Sequence, residues 1–257
     1  MAVWVTTDLH GNYDLWEQIK NFLKEDDTLI FLGDAIDRGS RGFEIFKELL
    51  EHPQVVYLRG NHEDIMYNAY CASGPAATEY FKSWMDNDGQ ATLENIKEIG
   101  LDVETKLELI QKIRTLPHYA EYDNNNSLKF ILCHAGYTPG NYFDNLYEDQ
   151  KDQKMLWDRH HFNIPWSDDK KYMSTIVVHG HTPILLQKQM NLRFKDASGL
   201  APYWYENNHK INLDAATANT GMAFLFNLDT LEYEVFIANP DYVVTNRRKN
   251  KQGDRNK

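Results

Sequence analysis

The chain has 257 residues, 42% of them hydrophobic, enough to bury a substantial core in one or two domains. Its formal charge of −11, from 38 acidic and 27 basic residues, argues against a nucleic-acid or anionic-membrane binder, although metal ions and arginines could still hold a phosphate locally. Cys71 and Cys133 stand in no metal-binding spacing, so neither a disulfide framework nor a thiolate metal site is expected and a reducing compartment fits; no apolar run reaches the ~20 residues of a membrane helix.

In chain order, Ala2–Thr6 is a β-favouring run, too short for a signal peptide, and a cytoplasmic protein is expected. It leads into Asp8-Leu9-His10-Gly11. Leu15, Trp16, Ile19, Phe22 and Leu23 form one apolar stripe, which predicts a helix over Tyr13–Lys24. Thr28–Leu32 reads as a buried strand, and it delivers Gly33-Asp34-Ala35-Ile36-Asp37-Arg38-Gly39. A carboxylate at the end of a buried strand sits in the crevice where α/β sheets bind ligands. Two aspartates three apart, then an arginine, would place a metal ligand, an orienting acid and an anion clamp in one loop. Phe43, Ile45, Phe46, Leu49 and Leu50 predict a second helix, and Gln54–Leu58 a third strand ending at Arg59-Gly60-Asn61-His62-Glu63. Strand–helix–strand–helix–strand predicts a parallel sheet with right-handed crossovers, its polar motifs all at one edge.

Residues 64–116 break the alternation and look mostly helical, interrupted at Ser73-Gly74-Pro75 and turning near Asn87-Asp88-Gly89. They read either as a cap-like insertion beside the site or as ordinary helices packed on the sheet. The second half is β-rich. Tyr119–Tyr122 and Leu128–Cys133 flank a polar turn, and the second of them delivers His134-Ala135-Gly136. Thr175–Val178 delivers His179-Gly180-His181-Thr182, and Ile211–Leu213, Met222–Asn227 and Leu231–Ile237 read as further strands. Two sheets packed as a sandwich with outer helices is the expected architecture, in a single domain over 1–245. The polar tail 246–257 is expected to be disordered.

Taken together and in this order, D-x-H-G, G-D-x-x-D-R-G, G-N-H-E, a lone H-A-G and H-G-H-T resemble the calcineurin-like metallophosphoesterases. Within them the pattern is similar to the bacterial and phage form of the phosphoprotein-phosphatase branch. Trp84–Leu93 resembles that form's W-x-x-N-G-G-x-x-T-L segment and Leu156-Trp157-Asp158-Arg159 its L-W-x-R segment. Asp88 and Ala215-Ala216 depart from the pattern, standing where a glycine and a T-G pair are usual. The resemblance implies a four-layered α/β/β/α fold and a dinuclear metal centre, with manganese expected and iron or zinc as alternatives.

Carried over residue by residue, Asp8, His10 and Asp34 would hold the first metal; Asp34 would bridge to a second, completed by Asn61, His134 and His181. Carboxylate, amide and imidazole suit hard divalent ions, and two dications ~3.5–4 Å apart call for a bridging anion. The resemblance implies attack by a metal-bridging hydroxide, with His62 as general acid and Asp37 holding its other nitrogen. Asp37 could instead cap the helix that follows. Arg38, Arg159, Asn61 and His179 would contact the phosphoryl group, His179 having the alternative of orienting a ligand or reaching a backbone carbonyl. Arg59 would join them or brace its loop through Glu63. Cys133, preceding His134 on an alternating strand, points to the opposite face and reads as core. His52, His118, His160, His161 and His209 lie outside the motifs and read as ordinary hydrogen-bonding residues. The substrates implied are phosphoserine or phosphothreonine in proteins, or small phosphoesters. The alternatives are a symmetric dinucleoside polyphosphate and, more remotely, no catalysis at all in a scaffold protein.

Overall fold

The computed structural model describes residues 1–140, 143–187 and 200–239. The expected tail at 246–257 lies outside them.

The first strand, β1 (Val3–Thr6), leads to α1 (Tyr13–Phe22), β2 (Thr28–Phe31), α2 (Gly42–Glu51) and β3 (Val55–Tyr57). Asn12 starts α1 by accepting the Leu15 amide through its side chain, and Leu15, Trp16 and Ile19 form the buried stripe. Glu48 of α2 binds Trp16 Nε1 at 2.9 Å and Lys20 Nζ at 2.6 Å, fastening the two helices. As expected from their alternation with helices, β1, β2 and β3 run parallel.

The stretch expected to be helical holds α3 (Asn61–Cys71), α4 (Pro75–Asp86), α5 (Gln90–Ile99) and α6 (Val103–Gln111). Pro75 opens α4 at the predicted break. Then follow the hairpin β4 (Tyr119–Asp123) and β5 (Lys129–Cys133), α7 (Glu148–Trp157), and β6 (Thr175–His179). The chain continues through β7 (Tyr203–Tyr205), β8 (Lys210–Asn212), β9 (Met222–Asn227) and β10 (Tyr233–Ile237). The three-residue β7 and the strongly polar α7 carry too little periodicity to be read from pattern alone.

Two five-stranded sheets result, in the orders β10-β9-β1-β2-β3 and β4-β5-β6-β8-β7. Strand alternation divides the core. Val3, Val5, Ile30 and Leu32 of the first sheet face Phe130, Leu132, Ile176, Val178 and Ile211 of the second, filling the space between. Leu29 and Phe31 point outward under α1 and α2, while Ile131, Cys133 and Val177 point outward under α7. Each such large apolar side chain contributes about 1.5–3 kcal/mol by leaving water. The layers are therefore helix, sheet, sheet, helix, and Cys133 is core.

Candidate metal centre

Asp8, His10, Asp34, Asp37, Arg38, Asn61, His62, His134 and His181 converge where β1, β2, β3, β5 and β6 end. Among the non-glycine residues with positive φ are Asp8 (52°), His10 (44°), Asp34 (62°), Asp37 (66°), Arg38 (66°) and His181 (66°). Such strain persists only where its surroundings over-determine it, and it clusters at functional sites. The loops lie nearly on top of one another. A Cβ on Gly33 (φ 103°) would come within 2.4 Å of the Gly60 nitrogen, and one on Gly180 within 2.1 Å of Asp8 Oδ2.

Glu63 holds the Asp34 loop. It lies in the first turn of α3, where its carboxylate accepts the Gly60 amide at 3.0 Å, an N-terminal capping interaction. The same carboxylate accepts the amides of Asp34 and Ala35, both at 2.8 Å, and the Tyr57 hydroxyl at 2.9 Å. Arg59 does not brace the loop through Glu63: it pairs with Asp64 at 3.3 Å and donates to the Arg114 carbonyl at 2.7 Å.

Asp34 Oδ1 accepts the His62 amide at 3.0 Å. Its Oδ2 lies 3.6 Å from His10 Nε2, 3.8 Å from His62 Nε2 and 3.5 Å from His134 Nε2. Two groups that could each hold an ion share this carboxylate: His10, Asp34 and His62 on one side, Asp34, His134 and His181 on the other. Asp8 Oδ1 is 3.7 Å from His10 Nε2, while its Oδ2 is tied to Thr7 Oγ1 at 2.6 Å and to the His181 amide at 3.0 Å.

The donor chemistry fits divalent cations. His134 Nδ1 faces the Leu32 carbonyl at 3.0 Å, so that nitrogen carries the proton and Nε2 presents a lone pair. That lone pair looks at Asn61 Oδ1, 2.8 Å away, and at His181 Nδ1, 3.2 Å away. His10 is set the same way, with Nδ1 on the Ile36 carbonyl at 2.9 Å. Burial holds His10, His134 and His181 below the usual histidine range, which keeps them neutral as metal ligation requires. Burial likewise pushes the Asp34 carboxyl well up, opposed by the His62 charge and reinforced by the Asp8 and Glu63 charges. The Arg38 guanidinium stands between His10 Nε2 (2.6 Å) and His62 Nε2 (3.2 Å), so a cation at His10 requires Arg38 to withdraw.

His62 differs from the other imidazoles. Its Nδ1 is 2.7 Å from Asp37 Oδ2. Desolvation lowers its pKa, but the Asp34 charge and the Asp37 hydrogen bond outweigh it and the net shift is upward. Asp37 does not cap α2, whose N-cap position is Arg41. It is itself held by Trp84 Nε1 at 3.0 Å and Thr92 Oγ1 at 2.7 Å, reaching in from α4 and α5. Those two contacts give a physical reason for the Trp84–Leu93 segment. Gly89 is needed there because a Cβ would lie 2.5 Å from Trp84 Nε1. Asp88 and Ala216, at the two departures from the glycine pattern, both keep the left-handed backbone a glycine would favour, φ 66° and 57°.

Arg159 reaches the same edge and donates to Thr182 Oγ1 at 2.7 Å, while the half-exposed Trp157 meets the His181 ring edge-on at 6.3 Å. His179 does not fit its expected phosphate contact. Its ring is buried, with Nδ1 on the Gly180 carbonyl at 3.0 Å and Nε2 on the Tyr205 hydroxyl at 2.8 Å. Strand alternation would put it on the same face as His181, but β6 ends at His179 and the left-handed His181 turns the chain away.

The calcineurin-like phosphoesterase family model matches residues 1–243. The chain belongs to that family. It is similar to serine/threonine-protein phosphatase 2 of Escherichia coli (strain K12), 28% identical over 159 residues, covering 60% of this chain and 66% of the relative. The protein of that name in Salmonella typhimurium is 32% identical over 162 residues, covering 61% and 67%. The asymmetrical bis(5'-nucleosyl)-tetraphosphatase PrpE of Bacillus velezensis is 27% identical over 150 residues, covering 53% and 57%. Among solved structures, a protein serine/threonine phosphatase from Saccharomyces cerevisiae superposes with a TM-score of 0.53 at 15% identity, covering 93% of this chain and 80% of that one. That last likeness is one of fold. Among the described residues no helix is long and apolar enough to cross a membrane.

Proposed function

We propose that this member of the family is a dinuclear metal-dependent phosphomonoesterase acting on phosphoserine and phosphothreonine in proteins. The observation that carries the reading is Asp34 Oδ2, placed within 3.8 Å of imidazole nitrogens on both sides. Asp8, His10 and Asp34 would hold one ion; Asp34, Asn61, His134 and His181 would hold the other. Asp8 rather than His62 completes the first set, because Asp8 Oδ1 offers a lone pair whereas His62 is biased towards its protonated form. We expect manganese as the ion, with iron or zinc able to replace it, and a cytoplasmic setting in keeping with two free cysteines.

The ions, when bound, supply Lewis-acid polarisation of the phosphoryl group and an activated water. Everything else falls to side chains. Arg38 and Arg159, whose planar guanidiniums suit phosphoryl oxygens, bind and orient the ester. Asp37 fixes the proton on His62 Nδ1, leaving Nε2–H to protonate the departing serine or threonine oxygen. Trp84 and Thr92 hold Asp37 for that task.

The tetraphosphatase relative favours a second reading, a dinucleoside polyphosphate hydrolase. Ranking phosphopeptides, dinucleoside tetraphosphates and an aryl phosphate by kcat/KM with manganese decides between the two. We expect phosphopeptides to lead; a dinucleoside tetraphosphate ahead of them would reassign the substrate.

A further inference from the structure

Behind the metal centre, on the second sheet, a polar chain runs from His179 of the H-G-H-T motif to Tyr205, His161 and Lys210, which lie outside every motif. His179 Nδ1 faces the Gly180 carbonyl at 3.0 Å, so that nitrogen carries the proton. Nε2 must then accept, and the Tyr205 hydroxyl donates to it at 2.8 Å. The hydroxyl oxygen in turn lies 3.4 Å from His161 Nδ1. The ring of His161 packs edge-on against His179, at 4.8 Å between centroids. Lys210 closes the assembly, donating from Nζ to the carbonyls of His161 (2.7 Å) and Ile164 (3.0 Å).

The chain ends on one peptide group. The Gly180 carbonyl is held by His179 and by the Thr182 amide at 2.7 Å; the amide of the same peptide, that of His181, is held by Asp8 Oδ2 at 3.0 Å; in the preceding peptide the Gly180 amide donates to the His134 carbonyl at 2.8 Å. His181 leaves that peptide with φ 66°, which a non-glycine residue adopts only when its neighbours impose it.

We propose that Tyr205 and His179 are positioning residues for the His181 side of the metal centre. The Tyr205 hydroxyl fixes the His179 ring, the ring holds the Gly180 carbonyl, and the peptide so oriented aims the His181 imidazole beside His134 and Asn61. This rests on the reading of His181 as a ligand. It moves His179 from touching phosphate to acting through its neighbour, and it adds Tyr205, which lies on the short β7. Partners that orient metal ligands in this way are worth about 10–100-fold in metal affinity.

The test is calorimetric titration of metal-stripped full-length chain with Mn²⁺, for the wild type, His181→Ala, Tyr205→Phe, His179→Ala and the Tyr205→Phe/His179→Ala pair. In the wild type two ions should bind. In Tyr205→Phe the ion that His181→Ala loses should bind about tenfold more weakly, while the other keeps its affinity and kcat recovers at saturating Mn²⁺. The paired variant should be no weaker than His179→Ala alone, because both changes cut one chain. Two unchanged affinities in Tyr205→Phe would overturn the proposal. So would an equal weakening of both ions with a lowered Tm, which is what general destabilisation gives. A wild type that binds fewer than two ions would instead bring down the dinuclear reading itself. Should Tyr205→Phe not fold, the same selective loss in His179→Gln, which keeps Tyr205, decides.

Discussion

Asp8, His10, Asp34 and Asn61 leave three parallel strands of the first sheet through short loops, and contacts within that half pin them. Glu63 alone collects the amides of Asp34, Ala35 and Gly60. His134 and His181 come from the second sheet and take their bearings from the first: His134 Nδ1 rests on the Leu32 carbonyl, and the His181 amide on Asp8 Oδ2. The first half is a self-contained template, and the second is registered onto it. Damage at the junction should therefore cost both ions, whereas damage behind either half should be graded and local.

The largest effect is expected at the junction. Asp34→Asn removes a carboxylate placed to serve two ions, each worth several kcal/mol to the reaction. Activity on a phosphopeptide should fall more than about 10⁴-fold; a variant turning over near the wild-type rate would separate the two halves. Next is His62→Asn, on the template side. It should cost about 10²–10⁴-fold on phosphoserine, whose leaving oxygen must be protonated, and far less on an aryl phosphate with a good leaving group. Equal losses on both would remove His62 from proton transfer.

On the second-sheet side, Lys210 is buried, and burial lowers its pKa from 10.5 to about 8. Because the folded value lies below the unfolded one, the unfolded chain binds more protons between those limits. Stability should thus rise with pH across that window, by up to about 3 kcal/mol. Thermal melts from pH 7.5 to 10 should show this rise in the wild type and not in Lys210→Met. Parallel curves would mean that Lys210 keeps its ordinary acidity.

Smaller effects should come from the supports. Thr92→Val strips two hydrogen bonds from Asp37, one to its carboxylate and one from its amide, and should lower kcat on phosphoserine about tenfold, leaving the aryl phosphate nearly untouched. The smallest is Ala216→Gly, which relieves a left-handed alanine. It should add about 0.5–1 kcal/mol, a few degrees in Tm, with no change in kcat. An unchanged or lowered Tm would show that the backbone at Ala216 carries no strain.

The same contrast explains what could be read from the chain in advance. Apolar runs ending in polar motifs gave β1, β2, β3, β5 and β6, and with them the edge where Asp8, Asp34, Asn61, His134 and His181 meet. Alternation placed Cys133 in the core. What pattern does not carry is long-range partnering. Nothing local to Trp84 or Thr92 says that both meet Asp37, 47 and 55 residues away. The same is true of Tyr205 and His179, 26 residues apart on separate strands. His179 meets the Gly180 backbone carbonyl, the alternative its sequence context leaves open beside a phosphate contact.

The most direct measurement is the count of Mn²⁺ bound per chain after metal stripping and reloading, in the wild type and in Asp34→Asn. If one carboxylate joins the two halves, the wild type should carry two ions whose electron spins couple, and Asp34→Asn should carry fewer than one. A single uncoupled ion in the wild type, or two ions retained by Asp34→Asn, would contradict a centre shared through Asp34.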